Sequence, residues 1–485
     1  MIRPKKERFL ELARPDHVVA VVKELPSDVI TPVDAYYATD ASYLLESSER
    51  GMAVGRYSFM GIEPEVLLSI NGEECRVDEG GEFRTYSSED PLRLAGELLR
   101  RYPWVGEGDL SLFPGGAVGY VGYEMVRRWE NLPDESAKPG LKLPESRFMV
   151  TRLNLVFDNL MHSIKIICNQ RVGKDPGAAY ESALQGIACI ERRLEEVAGA
   201  RRKKTGQPGS GPLISTFPKK SFMASVQKIR EMLAAGEAIQ VVLSQRLHLD
   251  YYGDPFLVYR ALRSINPSPY MFFLNFGEFS IFGASPEVMV KVEGSRAMLR
   301  PIAGTRPRGK DAEEDALLRQ DLLSDEKERA EHLMLVDLGR NDLGRIAEPG
   351  TVTVDRMMDI EMYSHVMHIV SEVSATLDSR VDVFDVIKAV FPAGTVSGAP
   401  KVRAMQLISE LEPVQRGPYA GLIGYLSYTG AFDSCITIRS MVHSGNRLYL
   451  QVGAGIVHDS DPEKEYQETI NKAKALIRAL SLERK

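Results

Sequence analysis

The chain has 485 residues, of which 44% are hydrophobic and 26% charged, with 60 Lys+Arg against 67 Asp+Glu. That length suits two domains or one large composite domain, and the balance is that of a globular protein, which excludes the disordered and fibrous classes. A net charge of -7 opposes a phosphate backbone, so nucleic-acid binding is not expected.

The four cysteines, Cys75, Cys168, Cys189 and Cys435, form no Cys-x-x-Cys pair, which argues against zinc or a disulfide framework and fits a reducing cytoplasm. The charged start of the chain lacks a signal-length apolar run, and nothing approaches the roughly 20 apolar residues of a membrane span. A cytoplasmic protein without membrane contact is the expectation.

In chain order, residues 66–70 and 152–157 are short runs rich in branched side chains, the first followed by the turn pair Asn71-Gly72. They predict an antiparallel, strand-rich upstream half. Gly, Pro, Ser and the basic run Arg201-Arg202-Lys203-Lys204 then interrupt the apolar periodicity, dividing the chain into an N-terminal domain at 1–197, a linker at 198–212 and a C-terminal domain at 213–485.

Downstream, Phe222, Val226, Ile229 and Leu233 share one stripe, so residues 221–235 predict a helix stopped by Gly236. Strands are expected at 238–247, 272–276, 287–292, 420–427, 434–442 and 447–452. Helices are expected at 324–338, 383–391, 401–411 and 462–480, and 361–368 also looks helical. Neighbouring strands without intervening helices predict an α+β fold, an extensive antiparallel sheet covered by helices.

Glu328 and Glu331 stand at i and i+3 in one predicted helix, and Glu465 and Glu468 do so in another, so each pair occupies one face. Four converging carboxylates would suit Mg2+, a hard cation. Taken singly, an acidic residue near a helix start more often complements the helix dipole. Gly453-Ala454-Gly455 lies between a predicted strand and a predicted helix, where exposed N–H groups can cradle an anion. It is no dinucleotide fingerprint, because His458 replaces the third glycine. Gly394 to Lys401 lacks phosphate-loop spacing, and His365-x-x-His368 has no third ligand nearby for zinc.

PIAGTRPRG at 301–309, EHLMLVDLGRNDLGRI at 331–346, FPAGTVSGAPKVRAMQLI at 391–408, YAGLIGY at 419–425 and QVGAGIVHDSDPEKEYQET at 451–469 together resemble the chorismate-utilising enzyme family. The upstream half resembles the N-terminal domain of anthranilate synthase component I. The resemblance implies a layered α/β/β/α fold and an enzyme acting on chorismate. It makes Glu331 and Glu468 the principal Mg2+ ligands, with Glu328 and Glu465 alongside. Gly453, Ala454, Gly455, Arg439 and Tyr419 would hold the substrate carboxylates, Arg439 as the clamp. Glu287 matches the general acid for the C4 hydroxyl, Gly304 and Thr305 would position that end of the ring, and His368 matches the histidine linked to pyruvate elimination.

Two departures choose the branch. Ala303 stands where aminodeoxychorismate synthases carry a nucleophilic lysine, and Gln240 where isochorismate and salicylate synthases carry a lysine base. Both point to amination at C2 by ammonia and pyruvate loss to give anthranilate, in tryptophan biosynthesis. An aminodeoxyisochorismate synthase lacking the lyase step, or a non-catalytic tryptophan-sensing paralogue, are the alternatives. No cysteine lies in a glycine-flanked nucleophile turn, so a glutamine amidotransferase subunit is the expected partner.

Leu44-Leu45-Glu46-Ser47 and Asn266-Pro267-Ser268-Pro269-Tyr270-Met271 resemble the two segments that enclose inhibitory tryptophan in feedback-sensitive members. Glu46 would pair with the ligand's amino group and Ser47 add a hydrogen bond. Pro269, Tyr270 and Met271 would wall the indole.

Overall fold

The structure, a computed structural model, describes residues 2–47, 55–108, 110, 113–197, 211–363 and 366–483. The expected linker lies outside them except for residues 211 and 212, and so does His365.

The architecture grows from one long antiparallel strand pair. Strands Tyr57–Asn71 and Ser146–Asp158 pair antiparallel from Tyr57↔Asp158 to Ile70↔Ser146. The register shifts between Pro64 and Val66, and Glu63 adopts φ 56. Proline donates no ladder hydrogen bond, so such a shift bends the pair, and its two ends take different neighbours.

Towards Asp158, Ser163–Arg171 joins one edge and Tyr43–Glu46 the other. From Tyr43–Glu46 a first sheet runs through Tyr270–Asn275, Phe279–Ser285, Ser440–Ser444 and Arg447–Ile456 to Gln240–Asp250. At the other end Gly116–Val121 pairs with Ser146–Asp158 and begins a second sheet. That sheet runs through Leu422–Ser427, Phe432–Ile436, Val288–Glu293 and Arg296–Leu299 to Val366–Thr376, which also carries Ile302–Pro307 on the same edge and Thr353–Met362 on the other.

Alternation of side chains across each strand separates three cores. Tyr43, Phe272, Leu274, Ile281 and Val442 of the first sheet meet Val118, Met149, Ile423 and Tyr425 of the second in an inner core. Their neighbours Leu44, Met271, Phe273, Phe282 and Met441 face outward, under helices Pro32–Thr39, Pro176–Val197, Pro255–Ile265 and Pro462–Glu483. The outer face of the second sheet packs Leu422 and Val290 under Arg93–Arg100, Glu326–Gly344 and Val383–Val390. The result is the expected layered α/β/β/α arrangement, within which Tyr43–Glu46 and Gly116–Val121 pair directly with strands from beyond the linker.

Three expectations need correction. The strand expected at 434–442 is two, Phe432–Ile436 and Ser440–Ser444, because Arg439 adopts left-handed φ 52 between them. Residues 361–368 are not helical: the branched Val366, Ile369 and Val370 belong to a strand paired with Thr353–Met362. The glycines at 453–455 lie inside strand Arg447–Ile456 and not before a helix. Helix Ala312–Ser324, capped by Asp311, was not foreseen.

Gly119 pairs between Phe148 and Gly424, and a Cβ there would meet the Arg147 carbonyl oxygen at 2.0 Å. Backbone cannot yield cheaply, so Gly119→Ala is expected to cost at least about 1–3 kcal/mol. Chemical denaturation of wild type and variant at one pH measures the difference.

Candidate functional site

The glutamate pairs sit at two helix starts. Asp325 caps Glu326–Gly344 by accepting from the amides of Lys327 and Glu328, and Pro462 begins Pro462–Glu483. Glu328 and Glu331, and Glu465 and Glu468, thus occupy early turns, where N–H groups favour negative charge. Burial raises the pKa of Glu328, and Glu331 adds to the effect; burial likewise raises Glu465, and the Glu468 charge reinforces it. Lys327 lies within electrostatic reach of Glu465, which brings the two helix starts to one region.

The four carboxylates do not close into one set. Among the described residues no three His, Cys, Asp or Glu side chains gather as a metal cluster. Instead Arg306 Nη1 donates to Glu328 at 3.4 Å, Gln240 Nε2 donates to Glu331 at 3.3 Å, and Lys472 pairs with Glu468 at 2.6 Å. The donors still fit magnesium, which characteristically takes one or two carboxylates and fills its shell with water and substrate oxygens. An amide on Glu331 and an ammonium on Glu468 are contacts that such a cation can replace.

Strand Gln240–Asp250 lies beside the glycines, with Ser244 opposite Gly453, Leu243 opposite Ala454 and Val242 opposite Gly455. A Cβ on Gly453 would stand 2.7 Å from the Tyr419 hydroxyl, and one on Gly455 2.6 Å from Gln240 Nε2. The glycines therefore make room for these two side chains. Arg439 Nη1 donates to the Lys472 carbonyl at 3.0 Å, and Lys472 Nζ donates to the Gly453 carbonyl at 3.1 Å. Burial lowers the Arg439 pKa, against the opposing influence of Tyr419 and Glu468.

Glu287 stands just before strand Val288–Glu293, its carbonyl accepting from the Ile436 amide at 3.0 Å. Burial pushes its carboxyl up to about 7, with the Thr395 hydroxyl and the Lys472 charge opposing. Glu287 and Thr395 share a small cavity of about 50 Å³ with Leu335 and Leu338. Pro286, on the other side of the chain, lines a larger one.

Across the site, Thr305 and His368 pair between strands Ile302–Pro307 and Val366–Thr376. His368 Nδ1 lies 3.0 Å from the Gly304 carbonyl oxygen and 3.0 Å from Thr305 Oγ1. A carbonyl only accepts, so Nδ1 carries the hydrogen and Nε2 the lone pair of the neutral ring. Burial lowers the pKa of His368 and favours that neutral form. Gly304 has φ 72, and a Cβ on it would approach Glu328 Oε2 to 3.2 Å. Lys472, Thr395 and Arg306 were not singled out from sequence. For Lys472 the signal was present, four residues beyond Glu468.

Glu46, Ser47, Pro269, Tyr270 and Met271 come together around the larger cavity, of about 270 Å³ between the sheets. Met271 pairs with Glu46 across adjacent strands. The Glu46 carboxylate, 2% exposed, accepts from Tyr259 Oη at 2.7 Å and Arg263 Nη2 at 2.9 Å. Met271 packs largely into the outer core with Tyr259. A second acid, Asp433, lines the cavity and accepts from Tyr270 Oη at 2.8 Å. Burial raises it to about 6, and Lys291 on the same wall opposes this. Ser47 Oγ is buried without a partner among the described residues.

The fold and this pairing of a buried acid with two acidic helix starts define a class that the comparisons specify. Residues 40–478 match the family of chorismate binding enzymes. Proteins named anthranilate synthase component 1 from Acetivibrio thermocellus and Synechocystis sp. are 42% and 43% identical to the chain, each alignment covering 99% of this chain and 99% of the relative. The crystal structure of anthranilate synthase component I from Streptococcus pneumoniae superposes with a TM-score of 0.76 at 36% identity, covering 93% of this chain and 98% of that one. The menaquinone-specific isochorismate synthase from Escherichia coli, 21% identical over 98% of both chains with a TM-score of 0.72, shares the fold. The chain belongs to the chorismate binding enzyme family, and it is an enzyme.

A carboxyl raised from 4.5 to about 7 by burial binds a proton in the folded state that the unfolded chain has lost. Its contribution to stability is therefore present below about pH 4.5 and lost as pH rises through about 7. Glu287→Gln removes this dependence. Thermal unfolding across pH 5 to 8 is expected to show the variant gaining on wild type as pH rises, and a constant difference would refute the raised pKa.

Proposed function

We propose that this chain is the aminating component of an anthranilate synthase, converting chorismate and ammonia to anthranilate, pyruvate and water. The observation that carries the reading is Gln240. An amide bonded to Glu331 offers no base to activate water, so the nucleophile must arrive already nucleophilic, as ammonia is. Ala303 likewise supplies no lysine for covalent attack.

Arg439, Tyr419 and the backbone at Gly453, Ala454 and Gly455 would hold the substrate carboxylates, with Gly304 and Thr305 placing the ring. Mg2+ held by Glu331 and Glu468, with Glu328 and Glu465 alongside, would supply Lewis-acid neutralisation of one carboxylate. Glu287, half protonated near pH 7, donates to the C4 hydroxyl, which leaves as water while ammonia adds at C2. The Nε2 lone pair of His368 then takes the C2 proton as the C3–O bond breaks, and the departing enolpyruvyl group becomes pyruvate on gaining a proton. Without that base the reaction would stop at the aminated ring, the product of an aminodeoxyisochorismate synthase.

Ammonia would come from a glutamine amidotransferase subunit, consistent with relatives numbered as component 1. The chain's own cysteines are poor candidates. Cys75, Cys168 and Cys435 are buried, and burial raises Cys75 to about 11 and Cys168 to about 12, away from the reactive thiolate.

L-Tryptophan would bind as inhibitor in the cavity of Ser47, Pro269, Tyr270 and Met271, its ammonium directed to Asp433. Pro286 and Val288 of that wall flank Glu287, so an occupant that displaces them displaces the acid. By linkage, chorismate must weaken tryptophan binding by the same factor.

Assay with chorismate, Mg2+ and ammonium salt is expected to yield anthranilate and pyruvate in equal amounts, whereas glutamine alone yields neither. An aminated product without pyruvate would establish the shorter reaction, and no turnover would sink the proposal. Glu331→Gln and Glu468→Gln are each expected to lower kcat/KM by at least about 100-fold while the fold persists.

Calorimetric titration of tryptophan should give weaker binding to Ser47→Phe and Met271→Thr than to wild type, and weaker binding to wild type with chorismate and Mg2+ present. Equal affinity in all three proteins would place the effector elsewhere.

A further inference from the structure

Behind the substrate-facing residues lies an ion pair that no part of the proposed chemistry uses. Arg416 is fully buried, as is its partner Glu412. Its Nε and Nη2 donate to the two carboxylate oxygens at 2.9 and 2.6 Å, Nη2 donates also to the Val242 carbonyl at 2.8 Å, and Nη1 donates to the Val396 carbonyl at 2.7 Å. Glu412 in turn accepts from the Ser244 amide at 2.7 Å. The guanidinium carbon lies 4.7 Å from the Tyr123 ring centroid and 5.6 Å from that of Tyr419.

Apart from the pair's own two bonds, each of these contacts ends on backbone or a ring beside the site. Val242 and Ser244 pair with Gly455 and Gly453. Val396 follows Thr395, which lines the small cavity beside Glu287. Tyr419 fills the space that the missing Cβ of Gly453 leaves. Glu124, from the upstream half, accepts from the amides of Arg416 and Gly417 at 2.7 and 2.9 Å, so the turn that bears Arg416 is anchored from behind.

We propose that Arg416, held by Glu412, is the positioning residue of the substrate cradle, fixing Tyr419, the backbone opposite Gly453 and Gly455, and the turn bearing Thr395 in one mutual arrangement. The planar fork is what does this. Its donors diverge to carbonyls on two separate segments while the carboxylate holds its plane, a geometry that a lysine's single ammonium cannot reproduce. A buried ion pair is weak evidence for stability in itself; here its bonds are spent on relative placement. Loosening the pair should therefore affect catalysis more than it affects folding. The inference rests on the site assignments proposed above for Tyr419 and Glu287.

The test compares Arg416→Lys with Leu194→Ala, a core truncation on helix Pro176–Val197 in the outer layer of the first sheet. Both should lower the unfolding temperature. With chorismate, Mg2+ and ammonium, Arg416→Lys is expected to lose about 100-fold in kcat/KM, the scale of a small misplacement of reacting groups, and Leu194→Ala less than about 3-fold. Glu412→Gln, which keeps an acceptor for Arg416, should give the same pattern more weakly, and it carries the test if the lysine variant does not fold.

Hydrogen exchange supplies an arm that does not depend on turnover. Amides at residues 396–397 and 417–421 should exchange at least about 10-fold faster in Arg416→Lys and unchanged in Leu194→Ala. A wild type that makes no anthranilate would remove the functional reading and leave the exchange comparison to judge the positioning. Unchanged exchange, or activity losses in Arg416→Lys that Leu194→Ala matches, would overturn the proposal.

Discussion

The register shift between Pro64 and Val66 in the long antiparallel pair is the constraint on which the rest of the architecture depends. A straight pair of strands would keep its neighbours along its whole length and build one sheet. A bent pair offers each end to a different sheet, and here the strands leaving the two ends diverge into two stacked layers. Sheets stacked face to face keep a spacing set by their side chains. The cavity of about 270 Å³ lies between the two layers, with Tyr57 and Phe59, from the end of the strand remote from the shift, in its wall.

That space and the small pocket beside Glu287 meet at the start of one strand. Consecutive side chains near a strand's start face opposite ways, so Pro286 lines the cavity while Glu287 reaches the small pocket shared with Thr395. No chain of intermediaries is required for an occupant of one side to alter the other. What is required is a difference in affinity between two placements of one short segment, because a ligand indifferent to them shifts nothing.

Much of this was legible in the sequence, for reasons that differ by element. Phe222, Val226, Ile229 and Leu233 marked a helix because one stripe faces one core, and the structure sets that helix at Lys219–Ala234. Ser434 to Val442 looked like one strand because alternation continues through Ile436 and Ile438, and nothing local announces the left-handed Arg439 that breaks it. The glycines at 453–455 looked like a helix-start cradle, since sequence cannot show that Tyr419 and Gln240, far along the chain, occupy the space of their missing side chains. The surroundings of Glu46 and Asp433 were hidden for a similar reason. Tyr259 and Arg263, which engage Glu46, come from helix Pro255–Ile265, and the burial that raises Asp433 belongs to the assembled sheets.

Burial also resolves how one site can hold an acid and a base at a single pH. Removing water penalises the charged form of either group. For Glu287 the charged form is the carboxylate, so desolvation raises its pKa to about 7 and keeps a proton available. For His368 the charged form is the imidazolium, so the same physical cause lowers its pKa and keeps a lone pair available. The Gly304 carbonyl, accepting from Nδ1, then determines that the lone pair is on Nε2. One physical cause, acting on groups of opposite charge type, thus moves the two pKa values in opposite directions.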